Sequence, residues 1–176
     1  LANADMAMYR SKAGGGNTYQ FFDASLIDEV KRRRTISREL RHALDQDNFS
    51  AHYQPLFDVS GKEVIGAEAL ARWRQDDGTN ISPAEFIPIA ESSGLINQLG
   101  ERMLLTACMD CKAWQDQGLA DVGVAVNVSA SQFRRSDIVA VVTRILKESR
   151  LDPALLELEL TESIVMQDFE EAAHAL

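Results

Sequence analysis

The alternation of apolar and polar positions changes period several times along the chain. Residues 5–13 carry a short helical pattern ended by Gly14-Gly15-Gly16, and Thr18-Tyr19-Gln20-Phe21-Phe22 has the aromatic and β-branched content of a strand. One helix and one strand cannot close a core, so this stretch predicts the tail of a domain whose remainder lies upstream. From Ala24 to Gln46 there is no proline or glycine, and Leu26, Ile27, Val30, Ile36, Leu40 and Leu44 recur among charges at the spacing of an amphipathic helix. That segment predicts a connecting helix.

Two strand-like runs follow, 49–56 and 63–73, joined by Asp58-Val59-Ser60-Gly61-Lys62, a turn suited to an antiparallel hairpin. Ser82-Pro83-Ala84-Glu85 then has the form of an N-cap, a proline at the first helical position and an acid in the first turn, predicting a helix through Ala90. A longer helix over 95–117 is stopped by Gly118. A buried strand is expected over 122–128, a helix over 137–149, a turn at Asp152-Pro153 and a strand over 155–160. Strand and helix in alternation imply parallel βαβ units. Residues 168–176 open a helical pattern with no cap and no returning strand, so the chain reads as cut at both ends.

Composition narrows the function more than the fold. The longest apolar runs fall well short of the roughly 18 residues a membrane span needs, and no basic start followed by an apolar stretch marks a secretory signal. Two cysteines, Cys108 and Cys111, are too few for a stapled fold and suit a reducing compartment, so a cytoplasmic location is expected, any membrane tether belonging to upstream segments. Their Cys-x-x-Cys spacing lies mid-helix without a second ligand pair, which predicts a buried helical face rather than zinc or redox chemistry. A net charge of −9 argues against binding a nucleic acid polymer, whose affinity comes from Lys and Arg replacing counterions. A polyanionic ligand would need a local remedy, such as a divalent cation held by carboxylates. The basic run Lys31-Arg32-Arg33-Arg34 is read as a solvated helix face.

Three isolated oxygen donors interrupt or close apolar runs: Glu68 within Val64–Leu70, Asn127 after Val122–Val126, and Glu159 within Leu155–Leu160. In a barrel of parallel strands, side chains at the strand C-termini converge on one mouth. Two carboxylates and an amide oxygen there would suit Mg²⁺ or Mn²⁺ rather than zinc. The pattern alone leaves open that Glu68 and Glu159 are solvent-facing alternates on half-exposed strands.

The local words are more specific. Glu68-Ala69-Leu70-Ala71-Arg72-Trp73, with Tyr53-Gln54-Pro55 before it, resembles the signature of the EAL domain family. Phe86-Ile87-Pro88-Ile89-Ala90-Glu91, Gly94-Leu95-Ile96, Val126-Asn127-Val128-Ser129 and Glu159-Leu160-Thr161-Glu162-Ser163 follow in the family's order. Ala4 to Lys12, with Gly15-Gly16-Asn17, is similar to the end of a GGDEF domain, although Gly16 stands where that family usually has a basic residue. The resemblance implies three parts: the C-terminal end of a GGDEF domain at 1–22, a linker helix at 23–47 and the N-terminal portion of an EAL domain at 48–176. The implied fold is an α/β (β/α)8 TIM-like barrel opened by an antiparallel hairpin.

The implied function is metal-dependent hydrolysis of cyclic di-GMP to the linear dinucleotide by the parent protein, a cyclic-di-GMP phosphodiesterase. Glu68, Asn127 and Glu159 are implied to hold Mg²⁺ or Mn²⁺, two ions in the complete domain, and Glu162 to steady a loop over the site. Arg72 is implied to contact a phosphate of cyclic di-GMP, and Gln54 and Leu70 to line the nucleotide groove. The family's aspartate pair and its later lysine and glutamate should lie beyond Leu176, so the 176-residue chain alone is expected to be inactive. The alternative is a degenerate EAL domain that binds cyclic di-GMP as a receptor without cleaving it. A homodimer through the 24–46 helix is a further expectation.

Overall fold

The computed structural model describes residues 24–160 apart from 47, 120 and 136. The GGDEF-like stretch at 1–22, Glu162 and the helical pattern at 168–176 lie outside the described residues. Helix α1 (Ala24–Asp45) leads into a hairpin of β1 (Phe49–Phe57) and β2 (Val64–Arg74), and a short strand β3 (Asn80–Ile81) folds back on the end of β2. Helices α2 (Pro83–Ser93) and α3 (Ile96–Asp116) precede β4 (Gly123–Val128); α4 (Ala130–Arg135), α5 (Ile138–Ser149) and a single 3-10 turn at Pro153–Leu155 lead to β5 (Leu156–Leu160).

The sheet runs β1-β2-β4-β5, antiparallel between β1 and β2 and parallel from β2 through β4 to β5. This is the hairpin-first, βαβ-continued order that the sequence predicts. The period-2 alternation of β2 explains which way it faces. Ala67, Ala69 and Trp73 are buried under the helices, whereas Glu68, Leu70 and Arg72 occupy the opposite face at intermediate exposure. In β4, Val124, Val126 and Val128 are buried and Asn127 is exposed.

Two apolar clusters hold the helices on the sheet. The first joins Ile36, Leu40 and Leu44 of α1 to Phe49, Trp73, Phe86 and Leu99. The i, i+4, i+8 spacing of the α1 residues presents a single stripe, which is why a highly charged helix still docks. Phe49, Trp73 and Phe86 pack as one aromatic group with ring centroids 5.6 to 5.8 Å apart, a geometry contributing about 0.5–1.5 kcal/mol per pair beyond area burial. The second cluster places Leu104, Ala107, Cys108 and Cys111 of α3 against Val124, Val126 and Ile145. Both cysteines are fully buried free thiols, as the helical reading of their spacing requires.

Three details refine the expectation. Ser82 makes no side-chain capping bond to α2, which begins on Pro83 alone. Pro83 has no N–H to satisfy and its fixed φ already suits a first turn. The basic run is exposed, as expected, and it also pairs: Arg32 Nε donates to Glu85 Oε1 at 2.5 Å and Arg33 Nη2 to Ser92 Oγ at 3.0 Å, fastening α1 to α2. Trp73, most simply a core residue on the sequence, is 1% exposed on the helix side of the sheet, opposite to Arg72, because adjacent strand residues alternate sides.

Candidate active site

The face of the sheet away from the helices carries the polar groups. Glu68 lies opposite Gln54 in the hairpin register and opposite Ala125 in the parallel one, while Asn127 lies opposite Glu159. Positions 125 and 127 share a face, so the period of two puts Glu68, Asn127 and Glu159 on the same side of three adjacent parallel strands. Asn127 Nδ2 donates to Glu68 Oε1 at 2.7 Å, which leaves the amide oxygen as a further donor atom for a ligand. The Glu159 carboxyl is held above its ordinary range, first by loss of hydration and then by repulsion from Glu68 and Glu157.

One expectation is corrected here. Glu68 does not close its strand; it sits mid-strand, because β2 runs on to Arg74. Leu70 and Arg72 therefore lie between Glu68 and the C-terminal end of β2, on the same face. Arg72 Nη1 donates to the carbonyl of Ala71 at 3.0 Å, and Gln54 is exposed on the same face of β1. A cleft of about 210 Å³ opens at this rim, lined by Leu70, Arg72, Ile87, Asn127 and Ser129 among others and mainly apolar. Its apolar wall beside one guanidinium suits a ligand that combines a flat base with phosphate.

The donor set fits a hard divalent cation: all its ligating atoms are oxygens, and the mutual repulsion at Glu159 is the kind a bound cation would relieve. Among the described residues no three His, Cys, Asp or Glu side chains cluster as a metal site, so this segment offers two acids and one amide. No helix among the described residues is long and apolar enough to cross a membrane.

A hairpin-led, otherwise parallel sheet with helices on one face and Glu68, Asn127 and Glu159 on the other defines an α/β protein. Residues 37–176 match the EAL domain family, and the chain belongs to it. The bifunctional diguanylate cyclase/cyclic di-GMP phosphodiesterase MucR of Pseudomonas aeruginosa is 40% identical over 168 residues, covering 96% of this chain and 24% of MucR. The cyclic di-GMP phosphodiesterase NbdA of the same organism is 37% identical over 171 residues, covering 97% of this chain and 22% of NbdA. The solved structure of the PaMucR phosphodiesterase in its c-di-GMP complex superposes with a TM-score of 0.77 at 39% identity, over 81% of this chain and 57% of that one. The chain thus spans about a quarter of the length of these curated relatives.

Sequence reasoning missed α4 and the buried pair Ser129 and Gln132 that opens it. The word Ser129-Ala130-Ser131-Gln132 is a capping-box pattern and was the available signal.

Proposed function

We propose that this chain is a segment of a cyclic-di-GMP phosphodiesterase in which Glu68, Asn127 and Glu159 hold Mg²⁺ or Mn²⁺ and Arg72, Leu70 and Gln54 bind the nucleotide. The reading rests on one observation above others: the 2.7 Å bond from Asn127 to Glu68, with Glu159 level with Asn127 on the next strand. Such an ion would lower the pKa of bound water and offset charge building on the attacked phosphate. The chain's own residues bind and orient. Arg72 offers a planar cation suited to a phosphate oxygen, Leu70 an apolar surface for a base, and Gln54 an amide across the hairpin from Glu68. Glu162, beyond the described residues, is assigned to the support of a loop over the site. The domain division at 1–22, 23–47 and 48–176, the inactivity of the 176-residue chain alone, a cytoplasmic location and a homodimer through α1 belong to the same proposal.

The test follows cyclic di-GMP by chromatography with Mg²⁺ or Mn²⁺, using the full-length parent, its Glu68→Ala variant and the 1–176 chain. Conversion to the linear dinucleotide by the parent, lost in Glu68→Ala and absent from 1–176, is expected. Binding without conversion by the parent would make the protein a receptor. Turnover by 1–176 that depends on Glu68 would overturn the incomplete-site reading.

A further inference from the structure

Asn127 has an exposed side chain whose described partner is Glu68, so its placement depends on the backbone that carries it. Two residues on, that backbone is held in an unusual way. The N–H of Ser129 donates to Gln132 Oε1 at 3.0 Å, and the N–H of Gln132 donates to Ser129 Oγ at 3.3 Å. This is a reciprocal capping box, and both residues are buried, at 6% and 5% exposure. The helix it caps, Ala130–Arg135, is only six residues long and gains little from a cap on its own account.

The other side of the box is α3. A Cβ at Gly100 would lie 1.9 Å from Gln132 Nε2, 2.7 Å from Cδ and 3.0 Å from Oε1. The Gln132 amide is therefore seated against bare backbone in the second turn of a 21-residue helix, inside which glycine costs about 1 kcal/mol relative to alanine. Close approach is the physical reason for accepting that cost. A cavity of about 30 Å³, lined by Asn97, Gly100, Asn127 and Gln132, lies behind the strand end, so continuous packing does not fix the turn there. The hydrogen-bonded pair supplies the restraint.

We propose that Gln132 is a positioning residue for Asn127: by bonding the Ser129 N–H while seated on Gly100, it fixes the turn after β4 and with it the metal-ligating amide. This rests on the assignment of Asn127 as a ligand given above. The test measures Mn²⁺ affinity by calorimetry on the full-length parent, with thermal melting alongside and the kcat and KM for cyclic di-GMP as a second readout. Gln132→Met keeps the shape and removes the acceptor; Gln132→Glu keeps the acceptor. Outer partners of metal ligands typically contribute 10- to 100-fold to affinity. Gln132→Met should therefore weaken Mn²⁺ binding about tenfold or more and lower kcat, with KM within about twofold, and Gln132→Glu should recover most of the loss. Gly100→Ala should resemble Gln132→Met, and the double variant should be no worse than either single one.

Wild-type Mn²⁺ affinity in a folded Gln132→Met with only its melting temperature lowered would overturn the proposal, leaving the box a purely structural feature. Equal loss in the Glu and Met variants would overturn it as well. Asn127→Ala serves as the reference. If Asn127→Ala itself leaves Mn²⁺ affinity unchanged, the ligand assignment fails and the positioning role fails with it; if Asn127→Ala weakens binding and Gln132→Met does not, only the positioning role fails.

Discussion

Replacing Tyr53 by phenylalanine isolates one bond between the hairpin and α3. The Tyr53 hydroxyl donates to Asp110 Oδ2 at 2.5 Å, and its ring meets Trp114 edge-on at a centroid distance of 4.7 Å. Phenylalanine keeps the ring contact and removes only the hydroxyl. A hydrogen bond to a charged partner is worth about 1.5–3 kcal/mol, and the intermediate exposure of Asp110 lets water replace part of it. The expected loss is about 1–2 kcal/mol, or roughly 2–4 °C of melting temperature per kcal/mol for a domain of about 150–250 residues. Urea unfolding of the complete EAL domain, followed by Trp fluorescence, measures it. Tyr53→Ala, which also loses the aromatic contact, should cost about 3 kcal/mol or more. The cycle of Tyr53→Phe with Asp110→Ala should return a coupling of at least about 0.5 kcal/mol. A Tyr53→Phe protein within about 0.3 kcal/mol of wild type, with no coupling in the cycle, would refute the view that this bond fastens β1 to the helix layer.

Three further outcomes are expected. Asp58 accepts from the Ser60 hydroxyl at 2.5 Å and from the N–H groups of Lys62 and Glu63 at 2.9 and 3.0 Å, and these bonds, the hydroxyl first, hold its carboxyl down to about 2. Its folded value lies below the unfolded one near 4, so its contribution is complete above about pH 4 and disappears as pH falls toward 2; the melting difference between wild type and Asp58→Ala should narrow over that window. Burial pushes the Cys108 thiol up to about 11, so at pH 8 only about one molecule in a thousand carries the thiolate, and maleimide should label Cys108 and Cys111 slowly in the native protein and rapidly in urea. The Arg32 to Glu85 pair has side chains 59% and 34% exposed, so Glu85→Gln should cost less than about 1 kcal/mol and the difference should shrink in 1 M salt, as paired denaturation curves would report.

The elements were legible where periodicity was long or turns were marked. α1, the hairpin and α3 follow their apolar spacing and the glycine-bearing turns, β4 follows its nearly continuous apolar run, and β5 the alternation of leucine and glutamate over 156–160. β3 was not legible, since two residues carry no period, and α4 was hidden because its cap lies in a motif that also carries Asn127. Within the site, the residue types and the shared face of Glu68, Asn127 and Glu159 could be read from the words that contain them. The height of Glu68 in its strand was legible only from the bounds of the run over 63–73, which pass beyond it as β2 does to Arg74, and not from the strand-end placement of the three oxygen donors. The partners of Arg32 and Arg33 were invisible, because the chain that meets them lies more than fifty residues away.

The antiparallel start of the sheet has a consequence for how α1 meets it. In an all-parallel barrel the chain enters the first strand at the rim opposite the one where the ligands gather. Here Phe49, the first residue of β1, is level with Trp73, next to the C-terminal end of β2. The end of α1 is held by Arg102, which donates to the carbonyl of Leu44, and Asn48, just before β1, donates to Asp76 beyond the end of β2. A twist or tilt of α1 is thus delivered at the rim that bears Arg72, without having to cross the length of the sheet.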